Sequence, residues 1–337
     1  MKKILSVALC ALMLVSMLAL VGCGNDKKDD KPADDNASAT VKFGAGVYAT
    51  LNTKDATEDA DGSGTLDAAL AAVLVDGDGK IVACELDAIK METKFSADGK
   101  VTAVADKDLK TKYEQGDAYA MKNEQYGSKL EWFDHADALE KVIIGKTLNE
   151  VKALVVNNYK GNDEVIAAGC TIGINELILA VDKAVANAKT DVSKDAKLRV
   201  AGAGQQAAAD ATEDLNASNK LTANLFAAAV DADGKVLSAS SDCVETTFFL
   251  KDGKVSKDNA DGLSKRQLGA DYGMKNEQYG SKLEWFEHAD AFDAACVGKT
   301  GDEITGLMGN DGKGVEAVQS AGCTIYVSGF VAAASKI

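Results

Sequence analysis

The chain is poor in the residue types on which most catalytic and metal-binding motifs depend. Its 337 residues include two histidines, two tryptophans and one proline. It contains no Cys-x-x-Cys pair and no His-Glu-x-x-His segment, so the sequence offers no zinc or redox-pair motif. It also lacks an excess of basic residues, because the formal net charge is −15. Since an acidic surface repels nucleic acid, we expect no nucleic-acid partner.

The seven cysteines do not suggest a disulfide framework. Cys10 and Cys23 lie near the N-terminus, and the other five are Cys84, Cys170, Cys243, Cys296 and Cys323. Because an odd number cannot all pair within one chain, we predict buried free thiols that pack as small apolar side chains. The alternative is one disulfide between Cys243 and a neighbour in the same half of the chain.

The first residues have the pattern of an export signal. Lys2 and Lys3 precede a near-continuous apolar run from residue 4 to residue 20 that carries no charge. A retained membrane helix is the alternative, because the run approaches the length that spans a bilayer. Residues 24–40 are polar, include Pro32 and have no apolar period, which predicts a flexible tether.

The end of the apolar run favours export over retention. Leu20-Val21-Gly22-Cys23 resembles the lipobox of bacterial lipoproteins, in which the cysteine is acylated and becomes the first residue of the mature chain. The resemblance implies a signal peptide over residues 1–22, followed by a lipidated Cys23 and linker over residues 23–41. Because two acyl chains anchor a protein stably, we expect the chain to be lipid-anchored at the extracytoplasmic face of the cell membrane.

An internal repeat organises the rest of the sequence. The 13 residues that start at Met121 recur unchanged from Met274, and the match continues without gaps as far as Ile172 and Ile325. Further upstream the match is looser, but Asp78-Gly79-Lys80 returns as Asp233-Gly234-Lys235 and both halves open with Gly-Ala-Gly. Repeats of this length indicate domains rather than a solenoid. We therefore predict two domains, residues 42–190 and 198–337, joined by the polar segment 189–197.

Each predicted domain has strands first and helices after. Apolar runs at 71–75 and 80–84 flank an Asp-Gly turn, which predicts a β-hairpin, and a further strand pair is expected around residues 97–100. From Trp132 an apolar stripe continues through Ala136, Leu139 and Ile143, which is the spacing of a helix that Gly145 ends. A closing helix is expected over residues 174–185. The predicted fold class is α+β, with an antiparallel sheet and packed helices in each of two tandem repeats.

Two short motifs have competing explanations. Gly145-Lys146-Thr147 resembles the end of a phosphate-binding loop, but the capping box Thr147 to Glu150 explains the same residues, as Thr300 to Glu303 does in the second half. The segment from Asp59 to Asp67 resembles the start of a calcium loop, but Leu70 stands where that loop needs an acidic ligand. We favour the cap and a polar turn, and we predict no metal site.

The unchanged segment supplies the candidate site residues. Its two copies hold the two tryptophans of the chain, and one of the two histidines follows each copy after a single further residue. One interpretation is that its aromatic side chains dock a helix on the sheet. The other is an aromatic wall, with a histidine at its edge, that stacks on a flat ligand. The residues of this candidate site are Tyr126, Trp132, Phe133, His135, Tyr279, Trp285, Phe286 and His288.

A family resemblance covers nearly all of residues 42–337. The lipobox, the Gly-x-Gly openings, the hairpin around Asp76-Gly77-Asp78-Gly79 and the helix that starts at Trp132 resemble a lipoprotein family of anaerobic Gram-positive bacteria. That family is described as a major membrane immunogen and is grouped with FMN-binding-like domains. The resemblance implies two FMN-binding-like domains. Asp61-Gly62-Ser63-Gly64-Thr65 lacks the Ala-Thr end of the covalent flavin motif, so the flavin it implies is bound non-covalently.

Three functions follow from these expectations. The first is a non-catalytic lipoprotein with two modules that bind a small ligand, with FMN as the leading ligand. The second is a structural or interaction module of the cell envelope, bound to a protein or a glycan. The third, ranked well behind, is a flavin-based extracellular electron carrier. No paired-acid or triad spacing indicates catalysis, so we do not expect an enzyme.

Overall fold

The structure is a computed structural model that describes residues 40–123, 127–276 and 280–337. The predicted export signal, Cys23, Tyr126 and Tyr279 lie outside the described residues. Eleven strands are present in this part: β1 Thr40–Lys54, β2 Gly62–Val75, β3 Ile81–Phe95, β4 Val101–Thr102, β5 Val155–Val156, β6 Lys160–Gly161, β7 Thr190–Ser193, β8 Lys197–Ala209, β9 Ala217–Val230, β10 Val236–Lys251 and β11 Lys254–Lys257.

Ten α-helices occur among the described residues. They are α1 Lys112–Gln115, α2 Trp132–Ile143, α3 Leu148–Lys152, α4 Asp163–Ala167, α5 Asn175–Ala186, α6 Lys265–Leu268, α7 Trp285–Cys296, α8 Gly301–Ile304, α9 Glu316–Ser320 and α10 Ser328–Ala334. No helix in the described part of the chain is long and apolar enough to cross a membrane. The fold is therefore of the mixed α+β class that the sequence predicts.

The strands form two large antiparallel sheets and one small one. The first sheet has the order β4-β3-β2-β1-β7, the second has the order β11-β10-β9-β8, and β5 pairs with β6. The segment predicted to join the domains contributes β7, which pairs with β1 through Thr190 opposite Phe43. We call the part of the chain up to β7 the first half and the part from β8 onward the second half.

The two large sheets stack face to face, with helices on both outer sides. In β2, Leu66 and Leu70 pack in one apolar cluster with Leu221 and Phe248 of the second sheet. Alternate residues of β2, including Val73, pack instead against α2 and α5, because successive side chains of a strand point to opposite faces. The second sheet is covered in the same way by α7 and α10. Burial on both faces explains why the middle strands are almost continuously apolar.

The predicted hairpin and helix boundaries are confirmed. The Asp76 carboxylate accepts hydrogen bonds from the backbone N–H groups of Asp78 and Lys80 and closes the turn between β2 and β3. Helix α2 covers residues 132–143, and Gly145 follows it with φ of +84°. Capping boxes are present at Thr147 and Thr300. The Gly-Lys-Thr segments therefore lie at helix starts that side chains already cap.

The two Gly-Ala-Gly segments occupy different places in the sheets. By strand register, each residue of β1 corresponds to the residue of β8 that lies 155 positions later in the chain. Lys42 faces Val75 in the first sheet, and Lys197 faces Val230 in the second. The structural counterparts of Gly44 and Gly46 are therefore Arg199 and Ala201 rather than the second pair of glycines. A side chain at Gly44 or Gly46 would meet the backbone of α5. These glycines let α5 lie directly on β1.

The five described cysteines are free and buried, as the sequence predicts for thiols that pack in the core. The segment that resembles a calcium loop forms a bridge between Thr57 and Ala60 and then enters β2 at Gly62. Within the described ranges, no group of three or more His, Cys, Asp or Glu side chains could hold a metal ion.

Candidate functional site

The two predicted histidines are buried inside the chain and bonded to it. His135 is 2 % exposed, with Nδ1 2.9 Å from the Gly169 carbonyl oxygen and Nε2 3.3 Å from Ser128 Oγ. Because a carbonyl can only accept, Nδ1 donates to it. His288 repeats the arrangement with Gly322 and Ser281. Each histidine therefore ties the start of a long helix to a loop on the helical side of its sheet.

The two predicted tryptophans start α2 and α7, and each contacts a lysine, the buried Lys112 in the first half and the half-buried Lys265 in the second. Lys112 Nζ lies 5.6 Å from the centre of the Trp132 ring and 5.8 Å from that of Tyr119. Lys265 Nζ lies 5.6 Å from the Trp285 ring and 4.9 Å from the Tyr272 ring. An ammonium group at such distances is attracted to the ring faces. Each half therefore has one group of a lysine, a tyrosine and a tryptophan.

Sequence analysis did not identify these lysines and tyrosines. Lys112 and Tyr119 precede Lys265 and Tyr272 by the same 153 positions that relate the unchanged segments. The signal was present as isolated matches upstream of Met121. It was weak because the residues around these matches differ between the halves.

A carboxylate partners each lysine, but it comes from a different strand in each half. Lys112 Nζ lies 3.4 Å from Asp67 on β2. Lys265 Nζ lies 3.4 Å from Glu245 on β10, and Lys220 Nζ lies 3.0 Å from the same Glu245 oxygen. The second half therefore has two ammonium groups around one carboxylate, and a surplus of one positive charge.

The lysine group of the second half opens into a cavity of about 630 Å³, which we call the Trp285 cavity. This volume lies in the range of small-molecule sites. Its polar and aromatic lining comes from β8, β9, β10, α6, α7 and the segment around the start of α10. The side chains that matter for a ligand are Gln205, Lys220, Thr222, Asn224, Glu245, Lys265, Trp285 and Tyr326.

One exchange of side-chain size distinguishes this cavity from the equivalent place in the first half. There, Glu176 of α5 reaches toward β1 and accepts a hydrogen bond of 3.2 Å from Thr50. The counterpart of Glu176 is Gly329, and a Cβ atom at Gly329 would lie 2.4 Å from the Asn224 side chain. The counterpart of Asn224 by strand register is the small Ala69. The first half therefore has a large residue on the helix and a small one on the strand, whereas the second half has Gly329 on the helix and Asn224 on the strand. The helix of the second half carries no side chain at this position of the cavity wall.

The two predicted phenylalanines lie apart from their neighbouring tryptophans. Phe133 contacts Tyr113, with ring centres 6.0 Å apart. Phe286 lines a second cleft of about 590 Å³, between the two sheets and α5, α6 and α7. The structure therefore does not place the predicted aromatic residues on one wall. Trp285 and Phe286 face different cavities.

A group of carboxylates in the first half lacks the arginine that its counterpart has. Burial raises the pKa of Glu85 to about 7, of Asp87 to about 6 and of Glu140 to about 8. Tyr113 stands beside this group and donates to Asp137 at 3.3 Å. In the second half the counterpart of Tyr113 is Arg266, which binds two carboxylates.

This difference predicts that the protein becomes less stable as pH rises from 5 to 8. Carboxyl groups with a folded-state pKa above the unfolded value favour the folded state while protonated, and that contribution is lost as pH rises through 6 to 8. We expect the free energy of unfolding to fall by several kcal/mol over this range, because three buried carboxyl groups lose their protons within it. Urea unfolding at each pH measures it. Tyr113→Arg should flatten the dependence, and an equally steep dependence in that variant would contradict the explanation.

Comparison with family models, with curated proteins and with solved structures gives no match for this chain.

Proposed function

We propose that the chain is a non-catalytic binding protein built from two copies of one α+β unit, and that the Trp285 cavity is its ligand site. The observation that carries the proposal is the contrast between the halves. Both have the lysine, tyrosine and tryptophan group, but α5 carries Glu176, which reaches Thr50, where α10 carries Gly329 and no side chain. In this proposal the first copy keeps the group as part of its core.

The lining of the cavity favours a ligand with a flat ring and an anionic group. Lys220 and Lys265 share one carboxylate, Glu245, so an anion next to them gains a charge-assisted contact. The largely exposed Tyr326 provides a ring surface, and the Trp285 ring, which is 5 % exposed, lines the wall of the cavity. Non-covalently bound FMN, which the family resemblance implies, combines a flat ring with a phosphate. It is the ligand we propose.

Filling the cavity should abolish FMN binding. The double substitution Gly329→Glu with Asn224→Ala gives the second half the residues of the first, so the new carboxylate has room and also repels a phosphate. We expect saturable heat of FMN binding in calorimetry with protein that starts at Gly24, and at least about a hundredfold weaker binding in the double variant.

The matched control is the double substitution Ala69→Asn with Glu176→Gly in the first half. It should leave the affinity of the Trp285 cavity for FMN unchanged. Equal FMN affinity in the cavity-filled variant would remove the Trp285 cavity as the site. If the unmodified protein binds no FMN, the result would favour the second function that the sequence suggests, an interaction module bound to a protein or a glycan of the envelope.

We also propose that Cys23 anchors the chain at the extracytoplasmic face of the cell membrane. The support is the Leu-Val-Gly-Cys motif after an apolar run. Cys23→Ser should move the protein from the membrane fraction to the soluble fraction or leave it unprocessed, and its mass should lack the acyl chains. An unchanged mass and membrane fraction would refute the anchor.

A further inference from the structure

The second cleft, which Phe286 lines, lies where the two halves meet. One wall is the backbone of β1 from Phe43 to Val47 with the end of α5. The other wall is the middle of β10 with Arg266 and the start of α7. We call it the Phe286 cleft. It is separate from the Trp285 cavity, and the binding function proposed above makes no use of it.

The equivalent junction on the other side of the molecule is closed by a lysine. Lys336 Nζ, just after α10, forms an ion pair with Glu114 and donates at 2.8 Å to the carbonyl oxygen of Gly202. These contacts join the end of α10 to α1 of the first half and to β8. The charge of this lysine is therefore neutralised inside the junction.

At the Phe286 cleft the counterpart lysine is left without an acid. The counterparts of Lys336, Glu114 and Gly202 are Lys183, Gln267 and Val47. Gln267 has replaced the glutamate and donates its own amide hydrogen to the Val47 carbonyl oxygen at 2.6 Å. Lys183 lines the cleft, and no ion pair with Lys183 occurs among the described residues.

The carboxylates of the opposite wall are already occupied. Asp293 binds Arg266 at 2.7 Å and accepts from the Ser241 backbone N–H. Asp290 binds the same guanidinium at 2.6 Å, and Asp242 accepts from the backbone N–H of Cys243. A ligand in the cleft can therefore contact the half-buried Lys183 without displacing an ion pair of the described residues.

We propose that the Phe286 cleft binds a small anionic molecule, whose carboxylate or phosphate group contacts Lys183. Lys189 also lines the cleft and adds a second positive charge. The half-buried Phe286 ring and the buried Leu225 side chain line the same cleft and offer an apolar surface to the remainder of the molecule. In an acidic protein, a half-buried lysine without an acidic partner is a selective position for an anion.

Inorganic phosphate is a direct probe of this site. Its ³¹P line width should broaden saturably with the protein that carries Gly329→Glu and Asn224→Ala, because the Trp285 cavity is filled in that background. Adding Lys183→Gln should weaken the binding about tenfold, the loss expected for one charge-assisted contact. Lys336→Gln, at the closed junction, should leave the phosphate affinity unchanged although it removes an ion pair.

Three results would overturn the proposal. These are no saturable broadening in the cavity-filled protein, unchanged broadening after Lys183→Gln, or an equal loss after Lys336→Gln. Because the background lacks the Trp285 cavity, none of these results depends on whether FMN binds there.

Discussion

Replacing Arg266 with methionine should lower the free energy of unfolding by about 3–5 kcal/mol, the cost of leaving a buried charge without its partner. The guanidinium bridges Asp290 and Asp293 at 2.6 and 2.7 Å. Asp293 is 7 % exposed, and burial raises its pKa while the charge of Arg266 lowers it. Methionine keeps the length of the side chain, so the loss reports the charge rather than a cavity.

Urea unfolding at pH 7 measures this effect, and Tyr113→Phe is the control. Tyr113 is the counterpart of Arg266 in the first half, and its hydroxyl donates one exposed hydrogen bond to the Asp137 carboxylate. Removing it should cost less than about 1 kcal/mol. A loss below about 1 kcal/mol in Arg266→Met would show that Asp293 is not held as an ion pair.

Gly46→Ala should destabilise the protein by about 3 kcal/mol, at the upper end of the usual cost of overpacking a core. The added Cβ atom would lie 2.3 Å from the backbone nitrogen of Ala184 and 2.4 Å from the carbonyl oxygen of Ala180. Both atoms belong to the backbone of α5, so no side chain can rotate to make room. The helix must move away from β1, and the contacts of that helix with β2 weaken as well.

Gly77→Ala is the matched control for this clash. Gly77 lies in the turn after β2, and a Cβ atom there meets nothing within 4 Å. Its substitution should change the midpoint of thermal unfolding by only a degree or two, since exposed changes of this kind stay within about 0.5 kcal/mol. Equal melting temperatures for Gly46→Ala and the unmodified protein would mean that α5 does not rest on β1 as described.

The sequence predicted the local elements well, because they follow from patterns a few residues long. The Asp76 turn and the stripe from Trp132 to Ile143 each specify a backbone geometry without help from distant residues. The face-to-face stacking of the sheets could not be predicted in the same way. The continuous apolar run in the second part of β2 indicates that both faces are buried, but not that Leu66 meets Phe248 across the molecule.

The candidate site was predicted in part. The unchanged segment pointed to Trp285, which lines the cavity, but also to His135 and His288, whose rings are held by backbone groups. The sequence pattern did not predict Lys265, because a lysine usually lies on a solvated surface and only the fold brings this one against two aromatic rings. Gly329 leaves the helix without a side chain at the cavity, and this role could not be predicted before the fold showed that Glu176 is the equivalent residue of the first half.

The central claim is that a flat anionic ligand binds beside Trp285 and not beside Trp132. The chain has only these two tryptophans, so Trp132→Phe and Trp285→Phe each leave a single fluorescent reporter. In an FMN titration of protein that starts at Gly24, the Trp132→Phe variant should show saturable quenching of Trp285. Its partner variant should show much weaker quenching of Trp132. Equal quenching of both reporters, or only the loss that free tryptophan shows, would contradict the assignment of the Trp285 cavity.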